Sequence, residues 1–155
     1  MPSPQEQRDE IRVARFAELD ALTLHRLLRL RCEVFVAEQR CLYADVDTLD
    51  TVESTQHLWI DAADPERPAG YLRITVEPHG AWRIGRVVTA PAARGKGIAG
   101  RLLDRALQLA GSDRPVELRA QAHLTDWYTR WGFVAYGEIY SDAGVDHQAM
   151  RRELH

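Results

Sequence analysis

Cysteine is scarce in this chain, with only Cys32 and Cys41 among 155 residues. Two are too few for the disulfide framework of a small secreted domain, and neither a CxxC spacing nor a histidine cluster accompanies them. Buried thiols in a reducing compartment fit that count, so a cytoplasmic location is expected, with no metal site. Long hydrophobic runs are missing too. Nothing approaches the roughly 18 apolar residues of a membrane span, and no membrane partner is expected. The opening MPSPQEQRDE lacks the basic-then-apolar profile of a secretory signal, so residues 1–10 read as a flexible leader. Positive charge is not in excess either. The formal net charge is −3, without the basic field that nucleic-acid binders carry, which argues against that class of partner. Repeats, linkers and low-complexity tracts are absent, and residues 11–155 read as a single domain with one sizeable core.

What is present is an alternation of strand-like and helix-like patterns. IRVARF (11–16) alternates as a first strand. Over 20–39, Leu24, Leu27, Leu28, Val34 and Phe35 recur at helical spacing, as one long helix or two short ones. An acidic stretch without a period follows and reads as a long loop. QHLWID (56–61), GYLRITVE (70–77) and AWRIGRVVT (81–89) are strands joined by short turns, which predicts an antiparallel meander. Trp59, Ile60 and Trp82 read as sheet core. Ile98, Leu102, Leu103, Ala106 and Leu107 then draw a helical stripe that Gly111 can stop. PVELRAQAH (115–123) is a strand set parallel to the fourth by that helical crossover. A short helix over 125–131, capped by Thr125 and ended by Gly132, precedes two closing strands in FVAYGEIY and DHQAMRREL.

The strand at 81–89 runs into Gly95-Lys96-Gly97-Ile98-Ala99-Gly100, a G-x-G-x-x-G sequence opening a helix. Glycines there leave backbone N–H groups free to face an anion. A nucleoside triphosphate is disfavoured, because Lys96 precedes Gly97 and no hydroxyl follows it. A dinucleotide matches the spacing, with Glu117 about 20 residues on as a ribose-binding acid. Against it stand the single crossover, the antiparallel surroundings and the place of Glu117 inside a strand. The third anion is the pyrophosphate of coenzyme A.

That reading gains from a wider pattern. Arg94 to Ala99 also spell R-x-x-G-x-A, and WYTRWGF (127–133) lies near the C-terminus. Together they resemble the GNAT superfamily of N-acetyltransferases, in which R/Q-x-x-G-x-G/A forms the pyrophosphate loop and Y-x-x-x-G-F marks the last helix and following strand. The ElaA-like branch is echoed by RCEVFVAEQRCLYADVDTLD (31–50), RVVTAPAARGKGIAGRLL (86–103), AQAHL (120–124) and GEIYSDAGVDH (137–147). The resemblance implies an α/β fold with a mixed, mostly antiparallel sheet of about six to seven strands and helices on both faces.

Acetyl-CoA is the cosubstrate the family implies, with the acetyl group passing to a small-molecule or peptide amine by direct attack in a ternary complex. By resemblance, Arg94, Gly95, Lys96, Gly97, Ile98, Ala99 and Gly100 would hold the pyrophosphate. The pantetheine arm would lie along Val87, Val88 and Thr89, in a splay between strands 82–89 and 115–123. A backbone N–H near Val88 would polarise the thioester. Gln121 stands where relatives often carry an asparagine that bonds the pantetheine region. Tyr128, four residues before Gly132, takes the place of the acid that protonates the departing thiolate, or else packs beside Trp127 and Trp131. Glu33, His57, His123 and His147 are candidates for the base, Glu33 and His147 foremost. The acids Glu33, Glu38, Asp45, Asp47, Asp50 and Glu53 either draw a cationic amine or form a solvated loop. Cys32 or Cys41 as an acyl carrier lacks a neighbouring histidine. Two rivals remain: a non-catalytic acyl-CoA sensor, and an acyl-homoserine lactone synthase, which the short chain and the loop disfavour. A homodimer is left open.

Overall fold

The computed structural model describes residues 1–3 and 10–153; most of the expected leader, residues 4–9, lies outside them. Among the described residues, eight strands form one sheet, in the order β1-β2-β3-β4-β5-β8-β6, with β7 also on β8. β1 is Ile11–Ala14, β2 Gln56–Asp61, β3 Pro68–Val76, β4 Trp82–Thr89, β5 Val116–Gln121, β6 Val134–Ala135, β7 Tyr140–Asp142 and β8 Val145–Arg152. β2 to β4 are the antiparallel meander that the short turns predict, and β1 pairs antiparallel with the outer edge of β2. β5 is parallel to β4, and β8 antiparallel to β5.

Helix α1, Ala21–Arg31, begins where the Asp20 carboxylate accepts the Thr23 N–H at 2.7 Å. It runs on without a break as a π-helical segment, Cys32–Glu38, so the region is one continuous helical rod. Helix α2, Ile98–Ala110, buries Ile98, Leu102, Leu103, Ala106 and Ala110 on the opposite sheet face and stops at Gly111 (φ 70°). It presses close to β3: a Cβ on Gly70 would sit 2.5 Å from Ile98 Cγ2, so only glycine fits there. The sheet thus separates two cores, a large one under α2 and a smaller one under α1 built on Leu27, Leu30, Trp59, Tyr71 and Val88.

The sheet departs from sequence expectation at its C-terminal edge. FVAYGEIY makes two strands, β6 and β7, because Gly137 (φ 70°) breaks the run, and both pair with β8. Helix α3, Thr125–Thr129, is not capped by Thr125, whose hydroxyl donates instead to the Ala122 carbonyl at 3.2 Å.

Two irregularities open the middle of the sheet. The β3–β4 register moves from Tyr71↔Val88 to Arg73↔Gly85, leaving Arg86 and Val87 opposite Leu72 alone; Arg86 takes φ 54° to make this bulge. Meanwhile β4 and β5 pair only at Trp82↔Val116 and Arg83↔Glu117. Beyond those two positions the strands part.

Candidate active site

The parting leaves one edge of β4 without a strand. Ala90 donates its N–H to the Ala69 carbonyl at 2.8 Å, and Tyr71 stands opposite Val88. Backbone groups alternate between the two edges of a strand, so those of Val88 belong to the ladder with β3. Thr89 and Val87 present theirs to the gap. The amide that the resemblance placed near Val88 is therefore offered one residue to either side.

The glycine loop lies at the end of that open edge. Gly95 (φ 79°) and Gly97 (φ 73°) adopt left-handed conformations that a Cβ would strain, and nothing surrounds the space a side chain would take. No side chain caps α2, and its first intrahelical bond runs from Arg101 N–H to the Gly97 carbonyl. The N–H groups of Ile98, Ala99 and Gly100 are the ones a helix start leaves without an intrahelical partner, at the positive end of its dipole. They face a cleft of about 530 Å³ bordered by Thr89, Gly95, Gly100, Trp127 and Trp131. Gly100 lets Trp131 approach, since a Cβ there would lie 3.2 Å from its ring. Lys96 is exposed and borders a neighbouring hollow beside Pro91. Arg94 reaches across to Glu38 at the end of the π segment, with two bonds of 2.7 and 2.8 Å. The arginine's hydrogen bond holds the Glu38 carboxyl below its usual range. Gln121 is likewise tied to that segment, donating to Gln39 at 2.9 Å.

On the other side of the gap lies a cavity of about 380 Å³ bordered by Val87, Arg119, Gln121, Tyr128, Asp142 and His147. Tyr128 is buried, set edge-on to Trp127 and Phe133, and burial pushes its phenol up to about 12. It is therefore a proton donor throughout the neutral range. His147 Nδ1 lies 2.8 Å from the Val145 carbonyl. A carbonyl can only accept, so Nδ1 holds the hydrogen and the neutral ring keeps Nε2 as its acceptor.

The other base candidates are elsewhere. Glu33 pairs with Arg29 at 3.0 Å and Arg67 at 3.3 Å, and it does not border the cavity. His57 is buried with both nitrogens engaged, Nδ1 2.6 Å from the Tyr71 hydroxyl and Nε2 2.9 Å from the Asp50 carbonyl. Burial pushes its pKa down. His123 is exposed and outside the cavity. Sequence reading also missed what becomes of the acidic loop. Arg31, only 1% exposed, pairs with Asp45 at 3.1 Å and Asp50 at 2.7 Å. Arg73 pairs with Asp47 at 2.7 Å and Asp50 at 2.8 Å, and Arg86 with Asp45 at 3.1 Å and Asp47 at 3.2 Å. Asp45 and Asp50 are buried and Asp47 half-buried, and all three are paired with arginines. Burial works to raise the Asp47 and Asp50 carboxyls, but the guanidiniums prevail and hold both below their usual range. Arginine inside the otherwise apolar YLRITV was the available signal: it puts Tyr71, Arg73 and Thr75 on one face of a buried strand.

Known proteins give the same outline. Residues 27–154 match the family model for an acetyltransferase (GNAT) domain. A UPF0039 protein of Mycobacterium tuberculosis is 43% identical over 138 residues, covering 87% of each chain. The crystal structure of Escherichia coli ElaA superposes with a TM-score of 0.85 at 34% identity, over 93% of this chain and 99% of that one. That of an acyl-CoA N-acyltransferase from Pseudomonas aeruginosa gives 0.85 at 44% identity, over 92% and 98%.

Proposed function

Because this chain belongs to the GNAT family, in its ElaA-like branch, and is thereby an acyl-CoA N-acyltransferase, we propose that it moves acetyl from acetyl-CoA to a primary amine by direct attack in a ternary complex. The observation that carries this reading is the open edge of β4. It links the glycine-loop cleft at Thr89 to the cavity of Tyr128 and His147 at Val87. A thioester arm laid along that edge would end between a proton acceptor and a proton donor.

Bound acetyl-CoA supplies an activated thioester carbonyl. The protein's part begins at the loop, where the N–H groups of Ile98, Ala99 and Gly100 and the charges of Arg94 and Lys96 hold the diphosphate. Val87 and Thr89 offer the arm the backbone bonds that a neighbouring strand would. An N–H aimed at the carbonyl oxygen stabilises the charge that develops there. His147 Nε2 takes a proton from the amine, directly or through a water, so that the nitrogen lone pair can form the new N–C bond. As the C–S bond breaks, Tyr128 gives its phenolic proton to the sulfur. Two unpaired thiols, Cys32 exposed and Cys41 buried, suit a reducing cytoplasm.

Thermal denaturation with acetyl-CoA and with NAD tests the loop, since only a ligand of the folded state raises the melting temperature. Acetyl-CoA should stabilise the protein and NAD should not. Thiol release over a panel of amines then tests transfer. Stabilisation without thiol release from any amine would favour an acyl-CoA sensor.

A further inference from the structure

We propose that Arg119 docks a carboxylate carried by the acceptor, so that the preferred substrate is an amine with an acid group, amino-acid-like in its charges, and not a polyamine. This rests on the reading above that the cavity beside His147 receives the acceptor.

Register places the residues. Across β5 and β8, Gln121 stands opposite His147 and Arg119 opposite Ala149; across β7 and β8, Tyr140 stands opposite His147 and Asp142 opposite Val145. Opposed residues, and those two further along a strand, share a sheet face. Arg119, Gln121, Tyr140, Asp142 and His147 therefore form one wall, while Leu118, Ala120 and Met150 point to the core beneath α2. Arg119 and Asp142 border the same cavity as Tyr128 and His147.

Charge accounting singles out Arg119. Of the cavity's other arginines, Arg73 and Arg86 are answered by Asp45, Asp47 and Asp50, and Arg83 by Glu77. Among the described residues, the Arg119 guanidinium has no ion-pair or hydrogen-bond partner, and neither has the Asp142 carboxylate. Next to them the Tyr140 hydroxyl is buried without a partner, close enough to feel the charges of Arg119 and Asp142. The wall thus offers a cationic fork to an anion and one carboxylate to an ammonium. An amine that carries a carboxylate satisfies both. The second ammonium of a polyamine would meet Arg119 instead. Guanidinium binds carboxylate through two parallel bonds on a long arm, which suits recognition across a strand spacing.

The test is steady-state thiol release with acetyl-CoA, comparing L-glutamate and L-aspartate with cadaverine and spermidine, in the wild type, Arg119→Gln and Arg119→Glu. The wild type should favour the acidic amines. Both variants should lose roughly 10- to 100-fold in kcat/KM for them, the scale of one charge-assisted hydrogen bond, mostly through KM. KM for acetyl-CoA and the melting temperature should hold, because Arg119 is exposed and supports no other group. Faster turnover of polyamines, or unchanged use of acidic amines by Arg119→Glu, would overturn the proposal while leaving acetyl transfer intact. Should no amine release thiol, it is acetyl transfer that fails. Calorimetric titration of N-acetyl-L-glutamate into the CoA-saturated protein then decides the role of Arg119: binding that Arg119→Glu abolishes supports it, and absent binding overturns it.

Discussion

At one end of the cleft, residues 94–100 form the glycine loop from consecutive, mostly exposed positions whose available groups are peptide nitrogens; at the other end, the wall facing His147 is backed by charges drawn from residues 31, 45, 47, 50, 73 and 86 and largely sealed from water. The first end offers backbone groups, so its requirements are glycine and a helix start. The second is shaped by side chains whose mutual neutralisation fixes a long loop against a bulged strand. A ligand site can thus be rigid because its backbone leaves no choice, or because buried charge leaves none.

Unpairing the buried end should give the largest effect. Asp50→Asn leaves Arg31 and Arg73 sharing a neutral amide in a site where Arg31 is 1% exposed. Removing one partner of a buried pair costs about 3–5 kcal/mol. Lys96→Ala in the exposed loop should stay within roughly 0.5 kcal/mol. Urea unfolding of both variants checks the contrast, and equal losses would abolish it.

Next comes Tyr128→Phe, which keeps the ring packed against Trp127 and Phe133 and removes only the hydroxyl. Turnover should fall by about 10²-fold, the lower end for a lost general acid, with acetyl-CoA affinity unchanged. Equal loss of affinity and turnover would make Tyr128 a packing residue.

Acid should separate the two ends again, by a smaller margin. His57 has a folded pKa below its unfolded one, so the stability it contributes is present above about 6.5 and drains as pH falls toward the folded value. Asp47 and Asp50, also depressed, begin to lose theirs below about 3.9. Melting temperature should therefore step down twice on acidification, and His57→Gln should erase the upper step. A single step below pH 4 in the wild type would remove His57 from the account.

The same contrast explains what was legible in the sequence. The glycine turn into α2 and α2 itself could be read because their determinants lie within a few residues of one another, and the meander because its turns are short. The pairing of Arg73 with Asp47 spans 26 residues and that of Arg86 with Asp45 spans 41, so no local window holds both partners. The acids of 45–50 looked free only because their arginines lay in other elements. Glu33 has one partner within its own helix, Arg29, and a second, Arg67, that only the fold brings near. Gly137 was visible, but that it would divide one strand into two depends on both halves reaching β8.

Where the two ends touch, the expected effect is smallest and its sign is the informative part. Arg94, supplied by the loop motif, spends its fork on Glu38 of the π segment. A diphosphate at the loop competes with that carboxylate for the same guanidinium. Glu38→Gln should therefore tighten acetyl-CoA binding only slightly, by roughly two- to fivefold, since an exposed pair is weak. Added salt should shrink the gain. In an Arg94→Gln background the gain should vanish, because the two substitutions act through one contact. Calorimetric titration of acetyl-CoA into the four proteins measures the cycle. Weaker binding by Glu38→Gln would mean that the pair holds the loop in its receptive shape, and the cofactor end would then depend on side chains from across the cleft after all.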